Sequence, residues 1–557
     1  MKFSEMPYTR VDLDEYKKQI QELTEKLKAA KSAEEQFEIH KKQYEVYDHA
    51  STNQILAHIR HDIDTTDEFY SKEQDYNDEI EPQIKEFLNE YSKTLFESPY
   101  KEGLIKIMGP VSFKNMELQL RSFKPEMIPL MQEENALITE YSKLIANIKI
   151  KWEGETYNLS LMKKFMNDKD REVRKKAYKA ATDALLELRP QIDEIYDKMV
   201  KNRTAQAKML GYETYTRLGY DRMQRNDYGP DEIKRFREEV KKKIVPLACK
   251  VNELRRQRLG LDHLYYYDST NFIEGDPTPI GTPEEILKNG QKMYAELSSE
   301  TKEFFDFMME NEMFDVLGRK TKRAGGYMTY LPDYKSPFIF ANFNQTTGDV
   351  DVITHECGHA FQGYLMKDAE VHEHADITME TAEIHSMSME FFTEPWMEKF
   401  FGDRAKDYVQ MHLEEAITFI PYGCMVDEFQ NIIYENPDMT AEERRNVWLD
   451  LEKQYRPDYD FSGNELYESG AYWQRQGHIF QVPFYYIDYC LAQTVALEYK
   501  AWMDKDYKAA WESYLKLCKM AASDFYSNMI PAVGLKLPFE EGCLDETVEI
   551  IGRKMGV

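Results

Sequence analysis

Cysteine is scarce in this chain of 557 residues. The six, Cys249, Cys357, Cys424, Cys490, Cys518 and Cys543, are too thinly spread for a disulfide framework or a CxxC metal clip. Long hydrophobic runs are missing as well. Every apolar stretch is broken by charge well short of the roughly 18 residues that suggest a membrane span. The opening MKFSEMPYTRVDLDEY contains no run long enough for a signal-peptide core, so the expected location, with thiols kept reduced, is cytoplasmic. Positive charge is in deficit, with 72 Lys and Arg against 100 Asp and Glu and a net charge of -28. Such a balance repels phosphate backbones and anionic membranes, which removes nucleic acid and membrane from the expected partners. There is no internal repeat, low-complexity tract or long Gly/Ser linker, so any lobe boundary falls in a short connection.

What is present is mostly helical. The length supports a large core and more than one lobe, and in the first third apolar residues recur at three- and four-residue spacing, as in Leu23, Leu27 and Ala30. Residues 161–218 continue in that style, their charges reading as the solvated face of long packed helices. Between 259 and 281 the rhythm gives way to loop or extended chain around Tyr265, Tyr266, Tyr267, Pro277, Pro279 and Gly281. A second irregular stretch, 325–343, reads as one or two short strands leading directly into a helix, after which the chain is again mostly helical. The expected division is an N-terminal helical region, 1–165, and a catalytic region, 166–557, with intermingled lobes.

That helix carries His355-Glu356-Cys357-Gly358-His359. Two histidines four apart on a helix aim their rings at one spot, which suits a tetrahedral zinc ion. Glu356 sits beside them as the candidate base for an attacking water. The 12 histidines and 100 acidic residues of the chain give about 0.05 accidental matches to this pattern. Ile353, Cys357, Ala360, Phe361 and Tyr364 fall on one helical face and predict a core contact; His355, His359 and Gln362 fall on the other, which faces a polar space. Gly358 reads as removing bulk where a substrate approaches.

A catalytic zinc needs a third protein ligand. The extended HExxHxxGxxH arrangement is excluded, since Gln362 and Leu365 stand where glycine and histidine are required. His372 and His374 lie in the following loop and read as solvated or substrate-touching. The next helical segment presents Glu380, Glu383 and Glu390 along one stripe, and three carboxylates on one face call for a cation opposite. One would bind the metal and another would hold the far nitrogen of a histidine ligand. Spacing alone does not separate Glu380 from Glu383.

With these residues in view, the chain resembles the thimet-oligopeptidase-like metallopeptidases, and among them the oligoendopeptidase F or Pz-peptidase branch. The resemblance rests on the His355 to His359 motif, on Glu383-Ile-His-Ser-Met-Ser-Met-Glu390, and on His478-Ile-Phe-Gln-Val-Pro483-Phe-Tyr-Tyr486-Ile-Asp-Tyr489. It extends to the Gly325-Gly326 loop and the 338–343 strand, and loosely to 64–70. It implies a mainly α, two-lobed zincin-type fold with a deep central channel and a small β-sheet beside the zinc helix. It further implies one Zn2+ per chain held by His355, His359 and Glu383, with Glu390 behind the ligands and Glu380 in reserve. By the same resemblance His478, Tyr486 and Tyr489 bind substrate and the developing oxyanion, with Tyr485 competing for the role of Tyr486. Gly325, Gly326, Ala341 and Asn342 are implied to hold an oligopeptide, which the 338–343 strand accepts as an added strand along an exposed edge. The implied activity is cleavage of internal bonds in short peptides. A zinc carboxypeptidase and a non-catalytic zinc-stabilised peptide-binding protein are the two rival readings.

Overall fold

The computed structural model of the chain describes residues 1–557. It is mainly α-helical, with one two-stranded and one three-stranded sheet. The chain forms two compact units: unit 1 from residues 1–120, 277–406 and 502–535, and unit 2 from 121–276, 407–501 and 536–557. No helix is long and apolar enough to cross a membrane. All six cysteines are free, and all but Cys249 are buried.

Unit 1 carries the elements that build the candidate site. In order these are helix α1 (Ala33–Ile63), strands β1 (Phe314–Leu317), β2 (Tyr327–Leu331) and β3 (Ser336–Phe343), and helices α2 (Gly348–Leu365) and α3 (Met379–Phe392). The strand order is β1-β3-β2, with β1 parallel and β2 antiparallel to β3. The β2–β3 connection turns at Lys335, which takes φ 47°. The strand 338–343 is therefore central, and the expectation of an exposed edge there is corrected. The short β1 segment, not read from sequence, pairs along its other side, and the edge lying beyond β3 in the opposite direction belongs to β2. Ala341 is 1% exposed and its carbonyl accepts from Lys322, while the Asn342 amide donates to the carbonyls of Arg323 and Gly325 at 2.8 and 2.9 Å. Asn342 thus pins the Gly325-Gly326 loop, and Ala341 holds the Lys322 side chain.

Helix α2 starts where Asp349, buried, accepts the backbone N–H groups of Asn344 and Gln345 at 2.8 Å each. These bonds fix the entry of the chain from β3. The face carrying Ile353, Cys357, Ala360, Phe361 and Tyr364 is buried, as its period predicts. Gly358 serves packing between helices: a Cβ there would lie 2.6 Å from the His385 carbonyl oxygen and 2.6 Å from the Ser386 Cα. Only glycine allows α2 and α3 to approach so closely.

In unit 2, the charges within 161–218 are not all solvated. Arg174 and Arg203 of the helix Arg171–Met209 are 2% and 0% exposed. Arg174 pairs with Asp268 at 2.9 Å and Arg203 with Glu134 at 2.6 Å. Each burial is paired and hydrogen-bonded, which is what makes it tolerable in a core.

Candidate active site

The facing histidines of α2 meet one carboxylate of α3. Glu383 Oε2 lies 3.5 Å from His355 Nε2 and 3.6 Å from His359 Nε2, and the three ligand atoms fall within 4.8 Å of one another. Tetrahedral zinc with bonds of about 2.0–2.2 Å spaces its ligand atoms about 3.3–3.5 Å apart, so the two imidazoles and the carboxylate fit that ion. Glu383 is 5% exposed and the histidine rings 26% and 15%, a pocketed but reachable arrangement.

The surroundings orient these groups. Glu390 Oε1 takes the His355 Nδ1 hydrogen bond at 2.6 Å, which leaves Nε2 directed to the cluster. The Ser386 hydroxyl reaches the Glu383 carboxylate at 3.2 Å and the Glu383 carbonyl at 3.0 Å; this hydroxyl escaped the sequence reading, although its i+3 spacing from Glu383 was a usable signal. Glu380 stands outside the cluster, accepting the Thr378 hydroxyl at 2.6 Å. His374 Nε2 is engaged by the Met108 carbonyl at 3.0 Å, and His372 Nε2 stands 3.2 Å from Asp48.

Electrostatics separate the titrating groups. Burial opposes a charge on His355, but its hydrogen bonds to Glu383 and Glu390 outweigh that and hold its pKa well above the ordinary 6.5. Burial brings His359 down to about 4 against the pull of Glu383. Burial raises the Glu356 carboxyl, with the charges of Glu383 and Glu390 adding to the effect and His355 and a backbone bond from Met328 of β2 opposing it. The upward direction is the one a carboxyl acting as a proton carrier calls for.

His478, Tyr485, Tyr486 and Tyr489 lie in unit 2 and form one aromatic cluster. The His478 ring centroid is 4.9 Å from Tyr486 and 6.0 Å from both Tyr485 and Tyr489. His478 belongs to the short helix Gly477–Gln481, where Arg203 binds the carbonyls of Ile479 and Phe480. The next helix begins at Tyr486, three residues after Pro483, because Phe484 takes φ 68° and interrupts the chain between them. Pro483 thus sits in the turn and not in the first helical turn.

Comparison with known proteins gives this arrangement its context. The model of the peptidase M3 N-terminal domain matches residues 3–123 and that of peptidase family M3 matches 164–549. A solved structure of Pz peptidase A with an inhibitor is 43% identical, covers 100% of this chain and 99% of its own, and superposes with a TM-score of 0.93. Oligopeptidase PepF of Bacillus subtilis (strain 168) is 24% identical over 403 residues, a match spanning 70% of this chain and 59% of PepF. Group B oligopeptidase PepB of Streptococcus agalactiae serotype III (strain NEM316) is 21% identical over 515 residues, 87% of this chain and 83% of PepB. With a His/His/Glu cluster on two packed helices of a mainly α, two-unit fold, the chain belongs to peptidase family M3, among the oligoendopeptidase F and Pz-peptidase-like zinc metallopeptidases.

Proposed function

We propose that the chain is an endopeptidase that hydrolyses internal bonds of short oligopeptides. The observation carrying this reading is Glu356, a carboxyl with a raised pKa next to a three-ligand cluster. A metal that only stabilised the fold would need no such neighbour. His355, His359 and Glu383 would hold zinc, and Glu390 and Ser386 would orient His355 and Glu383. When bound there, zinc acidifies a water and polarises the substrate carbonyl. Glu356 takes the proton of the attacking water and returns it to the leaving amine. An extended peptide adds as a strand to the β2 edge, whose backbone groups bind it with little regard to side chains. The Gly325-Gly326 loop at the start of β2 bears on the same peptide. His478, Tyr486 and Tyr489, assigned by the family motif, donate hydrogen bonds to substrate and to the carbonyl oxygen as negative charge develops on it.

The test is Glu356→Gln together with a peptide blocked at both ends. Wild-type protein cuts the blocked peptide internally, and the variant keeps near-stoichiometric zinc while turnover falls roughly a hundredfold or more. Loss of zinc from a folded variant would make Glu356 a ligand, and absence of internal cuts by wild type would reject the endopeptidase.

A further inference from the structure

A cavity of about 590 Å³ opens in unit 1 next to the metal cluster, with His359 in its wall. Residues Met328, Thr329 and Tyr330 of β2 form one side, so a peptide lying along that strand passes its mouth. On the other sides stand Tyr47 and Asp48 of α1, Gln362 of α2 and Asp376.

The basic groups of this cavity are already taken. Lys335 is bound to Asp368 at 2.6 Å, and Lys367 lies over the Tyr364 ring, 3.5 Å from its centroid. His372 Nε2 stands 3.2 Å from Asp48 Oδ1 without hydrogen-bonding it, and burial holds the His372 pKa below the ordinary 6.5, so at neutral pH it brings no charge. The nearby Glu373 is held by His40 at 2.6 Å and adds a further acid behind the wall. Asp48 and Asp376 are thus left without a charged counterpart, in a cavity whose tyrosine rings favour cations.

A second observation points to a ligand. Gln362 is 4% exposed, and its Nε2 has no hydrogen-bond partner although it lines the cavity. A buried amide donor without an acceptor is left with its desolvation uncompensated. A peptide carbonyl entering from β2 would satisfy it.

We propose that this cavity is a subsite for a positive charge carried by the peptide, either a Lys or Arg side chain or a free N-terminal ammonium. The cation meets Asp48 and Asp376, Tyr47 and Tyr330 flank it, and Gln362 binds a carbonyl of the same segment. Asp376 stands exposed at the cavity, while loss of water, reinforced by the Asp333 carboxylate, pushes Asp48 up to about 7. That is the direction expected of an acid awaiting a cation. The inference rests on the peptidase reading and supplies the side-chain preference that strand addition alone does not provide.

Its test uses blocked peptides of about ten residues in which one Lys replaces norleucine at each position in turn, with a parallel set carrying a free N-terminus. In wild-type protein one position favours Lys over norleucine by roughly tenfold or more in kcat/KM, or the free N-terminus gives that gain at one distance from the cut. The first result identifies a side chain as the source of the charge and the second the terminal ammonium. The ratio falls to near one in Asp48→Asn and Asp376→Asn. Binding of the same peptides to Glu356→Gln, measured by calorimetry, reports the preference without turnover. No preference in wild type, or an unchanged ratio in both variants, overturns the subsite even when norleucine peptides are cut normally. Failure to cut any peptide would instead reject the peptidase reading.

Discussion

Gly358 shows how one atom decides the geometry of the metal cluster. A methyl group there would stand 2.6 Å from backbone atoms of α3, which cannot rotate away as a side chain can. Gly358→Ala must push α2 and α3 apart, costing about 1–3 kcal/mol or more and moving Glu383 away from the two histidines. Denaturant melts and zinc titration should both register the change; an unaltered protein would show that the helices yield freely. The ligand choice is tested one side chain further on. Glu383→Ala should nearly abolish zinc binding and Glu380→Ala should leave it almost intact, because Glu380 is occupied with Thr378. Glu390→Gln should fall between them, since a partner behind a ligand is worth about ten- to a hundredfold in affinity or activity. A reversed order would make Glu380 the ligand.

At the scale of elements, the sheet decides where a peptide can lie. Strand β3 has neighbours on both sides, and β2 is the edge nearer to α2, whose Glu356 receives a backbone bond from Met328. A peptide extended on β2 presents backbone N–H groups to it, so N-methylation at alternate residues should lower kcat/KM strongly and at intervening residues weakly. Equal effects at every position, followed by mass spectrometry of the products, would argue against strand addition. The same view assigns a purpose to the Asn342 amide, which ties the Gly325 loop to the central strand.

For the whole molecule, stability should depend on pH through groups remote from the site. Burial raises Glu498 of unit 2 from 4.5 to about 7, although Lys536 donates its backbone N–H to both carboxylate oxygens at 3.1 Å. A carboxyl with a folded pKa above its unfolded value binds more protons when folded, so stability falls as pH rises from about 4.5 to about 7. Glu498→Gln removes this titration. Its melting temperature should exceed that of wild type at about pH 8 and match it at about pH 4. A constant difference across the range would mean that Glu498 is not shifted.

The sequence by itself determined what depends on residues close along the chain. The four-residue spacing of His355 and His359 follows from helix geometry, as does the buried face through Ile353, Cys357 and Phe361. The strand character of 325–343 follows from its aromatic and β-branched content. Only the tertiary structure decided questions set by residues far apart in the chain. The rotation of α3 against α2, permitted by Gly358, separates Glu383 from Glu380, and no periodicity within either helix contains that angle. The partner β1, entering from before the irregular loop, turned an expected edge into a central strand. Arg174 and Arg203 look like surface charges in a polar helix, and only Asp268 and Glu134, 94 and 69 residues away, make their burial possible. The cavity is further still from local pattern, because Asp48, Gln362 and Asp376 acquire a common purpose only when folding brings three segments around one space.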